Sequence, residues 1–155
     1  VIMIYEVEGD LLTQEYTKYI CHQTNCYMHN YNAASGLAYF VGKKWPFAHP
    51  YKNKKNITTL GTVNFVNVGE KIVVEMDAQF YPGPPSESGE DTAKERMNAF
   101  RRCLEKIKDA GVKTLAFPKY IGCGLAAGDW ALYRQMLEDA FCGEDFQCYI
   151  VELKK

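Results

Sequence analysis

Apolar and polar positions alternate in short blocks along the chain, and each block predicts an element. Ile2–Val7 reads as a strand that ends at Gly9-Asp10. Lys18–His22 is short and β-prone. Leu37, Ala38, Val41 and Trp45 fall on one face of a helix spanning Gly36 to about Lys44, with Ser35 as its cap and Pro46 as its stop. Residues 46–59 read as loop. Thr62–Val68 and Lys71–Met76 are two β-rich runs, and Gly69 between them predicts a hairpin or adjacent strands. The clearest helix is Thr92–Asp109, where Ala93, Met97, Phe100, Leu104 and Ile107 share a face and Gly111 ends the run. Thr114–Phe117 reads as a buried strand, Trp130–Phe141 as a second amphipathic helix and Phe146–Leu153 as a last strand. Strands alternating with helices predict an α/β fold. With no internal repeat and no long linker, residues 1–155 are expected to form one domain.

Composition narrows the class further. The chain is 47% hydrophobic and 24% charged, which excludes low-complexity and collagen-like chains. Its six cysteines are too sparse for a stapled mini-protein, and none forms a CxxC pair. No apolar run reaches the length of a membrane span, and the first residues lack a basic leader and a cleavage site. A reduced, intracellular, soluble protein with no membrane partner is expected.

The net charge of −1 conceals an asymmetry. Residues 16–69 contain six lysines and no acid, whereas residues 1–15 contain four acids and no base. Such a stretch suits an anionic partner. Nucleic acid and a small phosphorylated ligand both fit, and so does a solvated lysine-rich loop at 42–56.

The strongest local motif runs from Tyr120 to Trp130, with glycines at 122, 124 and 128, between a strand and a helix. Glycines there let backbone N–H groups approach phosphate oxygens, and the following helix N-terminus favours negative charge. The spacing is not the dinucleotide-binding fingerprint, and only 27 residues follow Gly128, too few for a second βαβ unit. It is not a P-loop either, because no Lys-Ser/Thr pair follows. A plain strand-to-helix turn is the other reading. A second glycine-bearing turn, Ala34-Ser35-Gly36-Leu37-Ala38, opens the first helix. Two such loops side by side at strand ends form the usual ligand crevice of open α/β sheets.

These segments, in this order, resemble the macro domain family. Val7-Glu8-Gly9-Asp10-Leu11 is similar to its first-strand motif, and Cys21-His22-Gln23-Thr24-Asn25-Cys26 to its second-strand segment ending in Asn. Ser35-Gly36-Leu37-Ala38, followed by Lys44-Trp45-Pro46, is similar to its first loop and helix, and Phe117 to Trp130 to its second loop. With Gln79-Phe80-Tyr81-Pro82-Gly83 upstream, the Gly122-Cys123-Gly124-Leu125 form looks closest to the subgroup that processes ADP-ribose-1″-phosphate, a neighbour of the enzymes that release ADP-ribose from glutamate. The resemblance implies a three-layer α/β/α fold around a mixed sheet and a site for ADP-ribose. It implies that Asp10 accepts a hydrogen bond from the adenine amino group beside the Leu11 amide, and that Asn25 binds the distal ribose. Ser35, Gly36, Leu37 and Ala38, together with Ile121, Gly122, Cys123, Gly124 and Leu125, would wrap the diphosphate, and Tyr81 would pack on a ribose. The chain departs from the family at residues 27–34, which lack the usual glycine-rich run. It also carries Ala126 where relatives with a Lys–ADP-ribose intermediate have Asp. That covalent mechanism is therefore not carried over.

Three side chains are candidates for chemistry. His22 lies three residues before Asn25, where some phosphatase relatives hold a catalytic His; a neutral imidazole can move a proton near pH 7. Asn25 would position water. Asp129 either orients water or caps the helix that starts at Trp130. The cluster Cys21, His22, Cys26 and His29 has loose spacing for zinc, and strand alternation turns Cys21 and His22 to opposite faces. Cys123, at a helix N-terminus, is a conceivable nucleophile, but small size at a crowded turn explains it as well. The expectation is a monomeric hydrolase of an ADP-ribose derivative that needs no metal or cofactor, either an ADP-ribose-1″-phosphate phosphatase or an ADP-ribosyl hydrolase. Its partners would be ADP-ribose or ADP-ribosylated protein or nucleic acid. The alternatives are a non-catalytic ADP-ribose reader and a nucleic-acid-binding domain.

Overall fold

The computed structural model describes residues 4–27, 36–52, 54, 56–143 and 145–153. Six strands form one sheet: β1 (Ile4–Glu8), β2 (Tyr19–Asn25), β3 (Thr62–Asn67), β4 (Ile72–Gln79), β5 (Thr114–Pro118) and β6 (Gln147–Glu152). Among the described residues three α-helices accompany them: α1 (Gly36–Lys44), α2 (Ala93–Asp109) and α3 (Trp130–Ala140). The order across the sheet is β1-β6-β5-β2-β4-β3. Every neighbouring pair is parallel except β3 with β4, so the sheet is mixed.

Alternation along the central strands sends side chains to two cores. Cys21, Val74, Met76, Leu115, Phe117, Cys148 and Ile150 pack under α2 and α3. Ile20, Val73, Ala116 and Val151 point the other way, under Leu11, Leu12, Val41 of α1 and Trp45 just after it. Helices thus cover both faces, as a buried parallel sheet requires, and the layers are α/β/α. The cysteines follow the same logic. Cys21, Cys103 and Cys148 are fully buried, and burial holds all three thiols well above their ordinary pKa.

Side chains cap α2 and α3, while the cap expected of Ser35 for α1 lies outside the described residues. Thr92 Oγ1 accepts from Glu95 N at 3.1 Å, and Asp129 Oδ1 accepts from Ala131 N at 3.0 Å. The two runs around Gly69 form an antiparallel hairpin, with Val68 N bonded to Lys71 O. Strands β2 and β4 each run three residues beyond the apolar runs that predict them. All of those extra residues but Ala78 are polar, and several are buried. Among the described residues, no helix is long and apolar enough to cross a membrane.

Parallel strands share a direction, so the loops after β1, β2, β4 and β5 all emerge at one end of the sheet. That is the end where open α/β sheets bind ligands.

Candidate functional site

A cleft of about 340 Å³ opens at this end. Its walls are the start of α1 (Gly36, Leu37, Ala38), the second glycine turn (Ile121, Gly122, Gly124, Leu125, Ala126) and the strand ends at His22, Asn25 and Gln79. Leu37, Pro118 and Lys119 also wall an adjoining hollow of about 440 Å³ that contains Asp10 and Leu11. The two glycine turns therefore do lie side by side. No carboxylate lines the cleft among the described residues.

The second turn exposes particular amides. Ile121 N and Cys123 N are used inside the turn, bonded to the carbonyls of Pro118 and Tyr120. The amides of Gly122, Gly124, Leu125 and Ala126 make no hydrogen bond among the described residues, which leaves four donors for an anion. Two non-glycine residues hold left-handed backbone here, Tyr120 (φ 70°) and Ala127 (φ 59°). Strain of that kind, about 1–3 kcal/mol per residue, persists where surrounding packing imposes it and gathers at ligand sites. The turn is also crowded: a Cβ on Gly128 would sit 2.5 Å from the Gly122 carbonyl oxygen and 2.7 Å from the Tyr133 ring. Gly128→Ala is expected to destabilise the protein by about 1–3 kcal/mol. Denaturant melts check this, and an unchanged midpoint would contradict it.

The first turn is seen from Gly36 onward; Ser35 and His29 lie outside the described residues. Gly36 takes φ 63°, and the first residues of α1 line the cleft; a helix N-terminus there favours an anion.

Asn25 ends β2 at an irregularity: Thr24 pairs with Asp77 but Asn25 pairs with Gln79. The skipped residue turns the strand end, a common device beside sites. Asn25 is 3% exposed. Its backbone N and Nδ2 both donate to Tyr51 Oη at 3.2 Å, and its Oδ1 accepts from Tyr27 N at 3.1 Å. Lys54 Nζ donates to its carbonyl and pairs with buried Asp77 at 3.3 Å. Burial raises the Tyr51 phenol to about 12, so it stays protonated.

His22 is 2% exposed, on the cleft wall, and neither ring nitrogen has a hydrogen-bond partner. Burial lowers its pKa to about 4, so the ring is neutral at pH 7. Next to it, Gln23 Nε2 donates to Gln79 Oε1 at 2.8 Å, while Gln23 Oε1 is buried without a partner. Three unsatisfied polar atoms at one wall are unusual in a folded protein.

Other expected residues stand elsewhere. Asp10 Oδ1 accepts from Leu12 N at 2.8 Å, which orients the carboxylate at the rim of the adjoining hollow. Tyr81 is exposed and packs its ring 5.1 Å from that of Tyr27; its neighbours Pro82 and Gly83 line the cleft instead. Asp129 is exposed and outside the lining, and its carboxylate caps α3. Cys123 is outside the lining too; its Sγ donates to Ile121 O, and burial, with Asp129 nearby, pushes the thiol up to about 11, which disfavours a nucleophile. Cys21 and His22 face opposite sides of the sheet, and no group of three or more His, Cys, Asp or Glu fit to hold a metal ion occurs among the described residues. Sequence reasoning missed Tyr51, Gln23 and Gln79 as part of the site. The prior signals were the positions of Gln23 inside the Cys21–Cys26 segment and of Gln79 at the head of the Gln-Phe-Tyr-Pro-Gly segment.

Comparison with known proteins places this geometry. No protein-family model and no curated protein sequence matches the chain. Solved structures do. A Bacteroides thetaiotaomicron protein of unknown function is 26% identical with a TM-score of 0.76, over 98% of this chain and 99% of that one. The macrodomain of Mycobacterium tuberculosis DarG is 20% identical with a TM-score of 0.74, over the whole of both chains. Thermosipho africanus DarTG, solved in complex with ADP-ribose, is 17% identical with a TM-score of 0.69 over 94% of this chain and 40% of that one. None of the three points to the ADP-ribose-1″-phosphate subgroup. Sheet order, helices on both faces and this breadth of structural likeness agree with the sequence motifs: the chain has the fold of the macro domain family.

Proposed function

We propose that the chain binds ADP-ribose along the cleft and hydrolyses a derivative of it, with water as nucleophile. The observation that carries this reading is His22, a buried imidazole without a partner on the wall of a carboxylate-free cleft. A diphosphate is repelled by carboxylates and attracted by free amides, so the space between α1 and the second turn suits it. Adenine would lie in the hollow beside Asp10 and Leu11, and the distal ribose near Asn25. The likeness to a DarTG structure that holds ADP-ribose supports this ligand.

At the distal end, His22 would accept a proton from the attacking water as its oxygen bonds to the anomeric carbon or to the terminal phosphorus. The departing group leaves with the bonding pair and takes a proton from solvent. A pKa near 4 makes His22 a weak base in the empty cleft; a bound phosphate nearby raises it toward the working range. Substrates of this chemistry are ADP-ribose-1″-phosphate and ADP-ribosylated protein or nucleic acid. One observation favours a reader without turnover: Asp129, the nearest acid in sequence, is turned to its own helix.

Calorimetry with ADP-ribose tests the binding half, and absence of binding at high micromolar ligand rejects both readings. Asp10→Ala should weaken ADP-ribose by about 10- to 100-fold, the loss of one charged hydrogen bond. Turnover of the three substrate types then separates hydrolase from reader.

A further inference from the structure

A second cavity, of about 450 Å³, lies between β3, β4 and the loop from Ala48 to Thr58. It shares no lining residue with the cleft, and its size is that of small-molecule sites. We propose that this cavity binds an organic cation, an ammonium or guanidinium group on a short apolar stem, with Glu75 as its counter-ion.

Glu75 points into the cavity from the middle of β4 and is only 8% exposed. Its Oε1 accepts from Asn64 Nδ2 at 3.0 Å. No base forms an ion pair with it among the described residues. Lys54, the lysine that lines the cavity among the described residues, is taken by Asp77 and by the Asn25 carbonyl. A carboxyl buried without a counter-ion is costly, and a ligand cation supplies what the fold omits. The other charged groups facing Glu75 leave room for one positive charge. On β4, Asp77 is neutralised by Lys54 and by hydroxyl donors from Thr24 and Thr58. From β2, His22 stands in register with Glu75 and is neutral at pH 7. From the loop, His49 accepts from Tyr51 N and Lys52 N through Nδ1, and burial with Lys52 nearby lowers its pKa. Strand β3 brings no titratable side chain. Counting the described lining residues, Glu75, Asp77 and Lys54, the cavity carries one net negative charge with Glu75 ionised. Ala48, Val63 and Val66 supply apolar wall for a stem. A divalent metal fits poorly, because Lys54 already occupies the second carboxylate.

Burial raises Glu75 to about 7 in the empty cavity. A bound cation favours the ionised form, so binding releases up to one proton and tightens as pH rises through that value.

The test titrates the intact chain with agmatine and with N-acetyl-arginine amide, followed by calorimetry at two pH values and by side-chain amide NMR of Asn64. Agmatine represents a free amine, and the blocked arginine a side chain of a protein partner. Saturable binding of either probe is expected, tighter at pH 8 than at pH 6, with the Asn64 amide shifted. Binding of one probe alone identifies the source. Glu75→Gln should weaken binding at least about tenfold and remove the pH dependence. Asn64→Lys, an exposed substitution on the edge strand, should do the same by placing an internal cation beside Glu75. Thermal melts confirm that both variants fold. No binding of either probe up to about 10 mM, a free energy no better than about −3 kcal/mol, overturns the proposal. So does binding that both folded variants retain.

Discussion

Arg96→Met is expected to lower stability by about 3–5 kcal/mol, the usual cost of breaking a buried ion pair, and the melting temperature by roughly 6–20 °C. Arg96 is 2% exposed at the start of α2. Its Nε and Nη2 donate to the two Asp91 oxygens at 2.9 and 2.7 Å. The rest of the guanidinium gathers the carbonyls of Tyr81, Gly83, Pro84 and Ala126. Asp91 in turn accepts from the amides of Phe80 and Tyr81. One side chain thus ties the loop after β4 to the second glycine turn, so the variant should bind ligand more weakly as well as melt earlier. Burial alone would raise the Asp91 carboxyl, but hydrogen bonds from Arg96 and the two amides outweigh it and hold the group below the ordinary carboxylate value. That contribution is fully present above the ordinary carboxylate range and is lost as pH falls from there through the lower value of the folded chain. The difference between the two proteins should therefore narrow in acid. Guanidinium melts at pH 7 and pH 3 measure both effects, and a loss under about 1 kcal/mol at pH 7 would show the pair to be dispensable.

His22→Ala is expected to keep ADP-ribose binding within a few-fold and to lower turnover by about 10²–10⁴-fold, the range for a lost general base. A reader shows no turnover in either protein. The same variant carries a stability signature that does not depend on activity. The His22 pKa is about 4 in the folded chain, against an ordinary value of 6.5. As pH falls from 6.5 to 4 the unfolded chain takes up a proton that the folded chain refuses, so stability drops by about 3 kcal/mol across that window. His22→Ala starts lower because it leaves a cavity, but its stability should be flatter there. A wild-type stability with no such acid limb would mean that the imidazole is hydrated or partnered in solution. Asn25→Ala makes a useful companion. It removes the acceptor of Tyr27 N and one donor to Tyr51 Oη, and should weaken binding and turnover together.

How far the site could be read in advance depended on the kind of signal each residue leaves. The glycines announce a tight turn, and it is where they placed it: Gly122 holds a left-handed backbone (φ 76°) and Gly128 has no room for a Cβ. Asp129 was legible as a cap, and that is the role its carboxylate fills. Tyr51 gave no signal: it lies in an irregular loop, and its value is a phenol reaching Asn25 across 26 positions. Gln23 and Gln79 are 56 residues apart and meet only because β2 and β4 are neighbours. Arg96 was hidden by its own chemistry, since a charged residue in an amphipathic helix reads as solvent-facing. The polar ends of β2 and β4 were missed for the same reason: Thr24 and Asp77 are buried because they satisfy each other.

The sequence by itself determined the α/β class, most helix limits, the two glycine turns and the acid-free stretch, because periodicity, caps and turn residues are local. Only the tertiary structure decided, among the described residues, which amides of the second turn stay free, that no carboxylate lines the cleft, that the His22 ring nitrogens have no hydrogen-bond partner and that Glu75 has no ion pair. Those properties depend on who stands opposite whom across the sheet, and pairing between distant segments leaves no mark on the residues nearby in sequence.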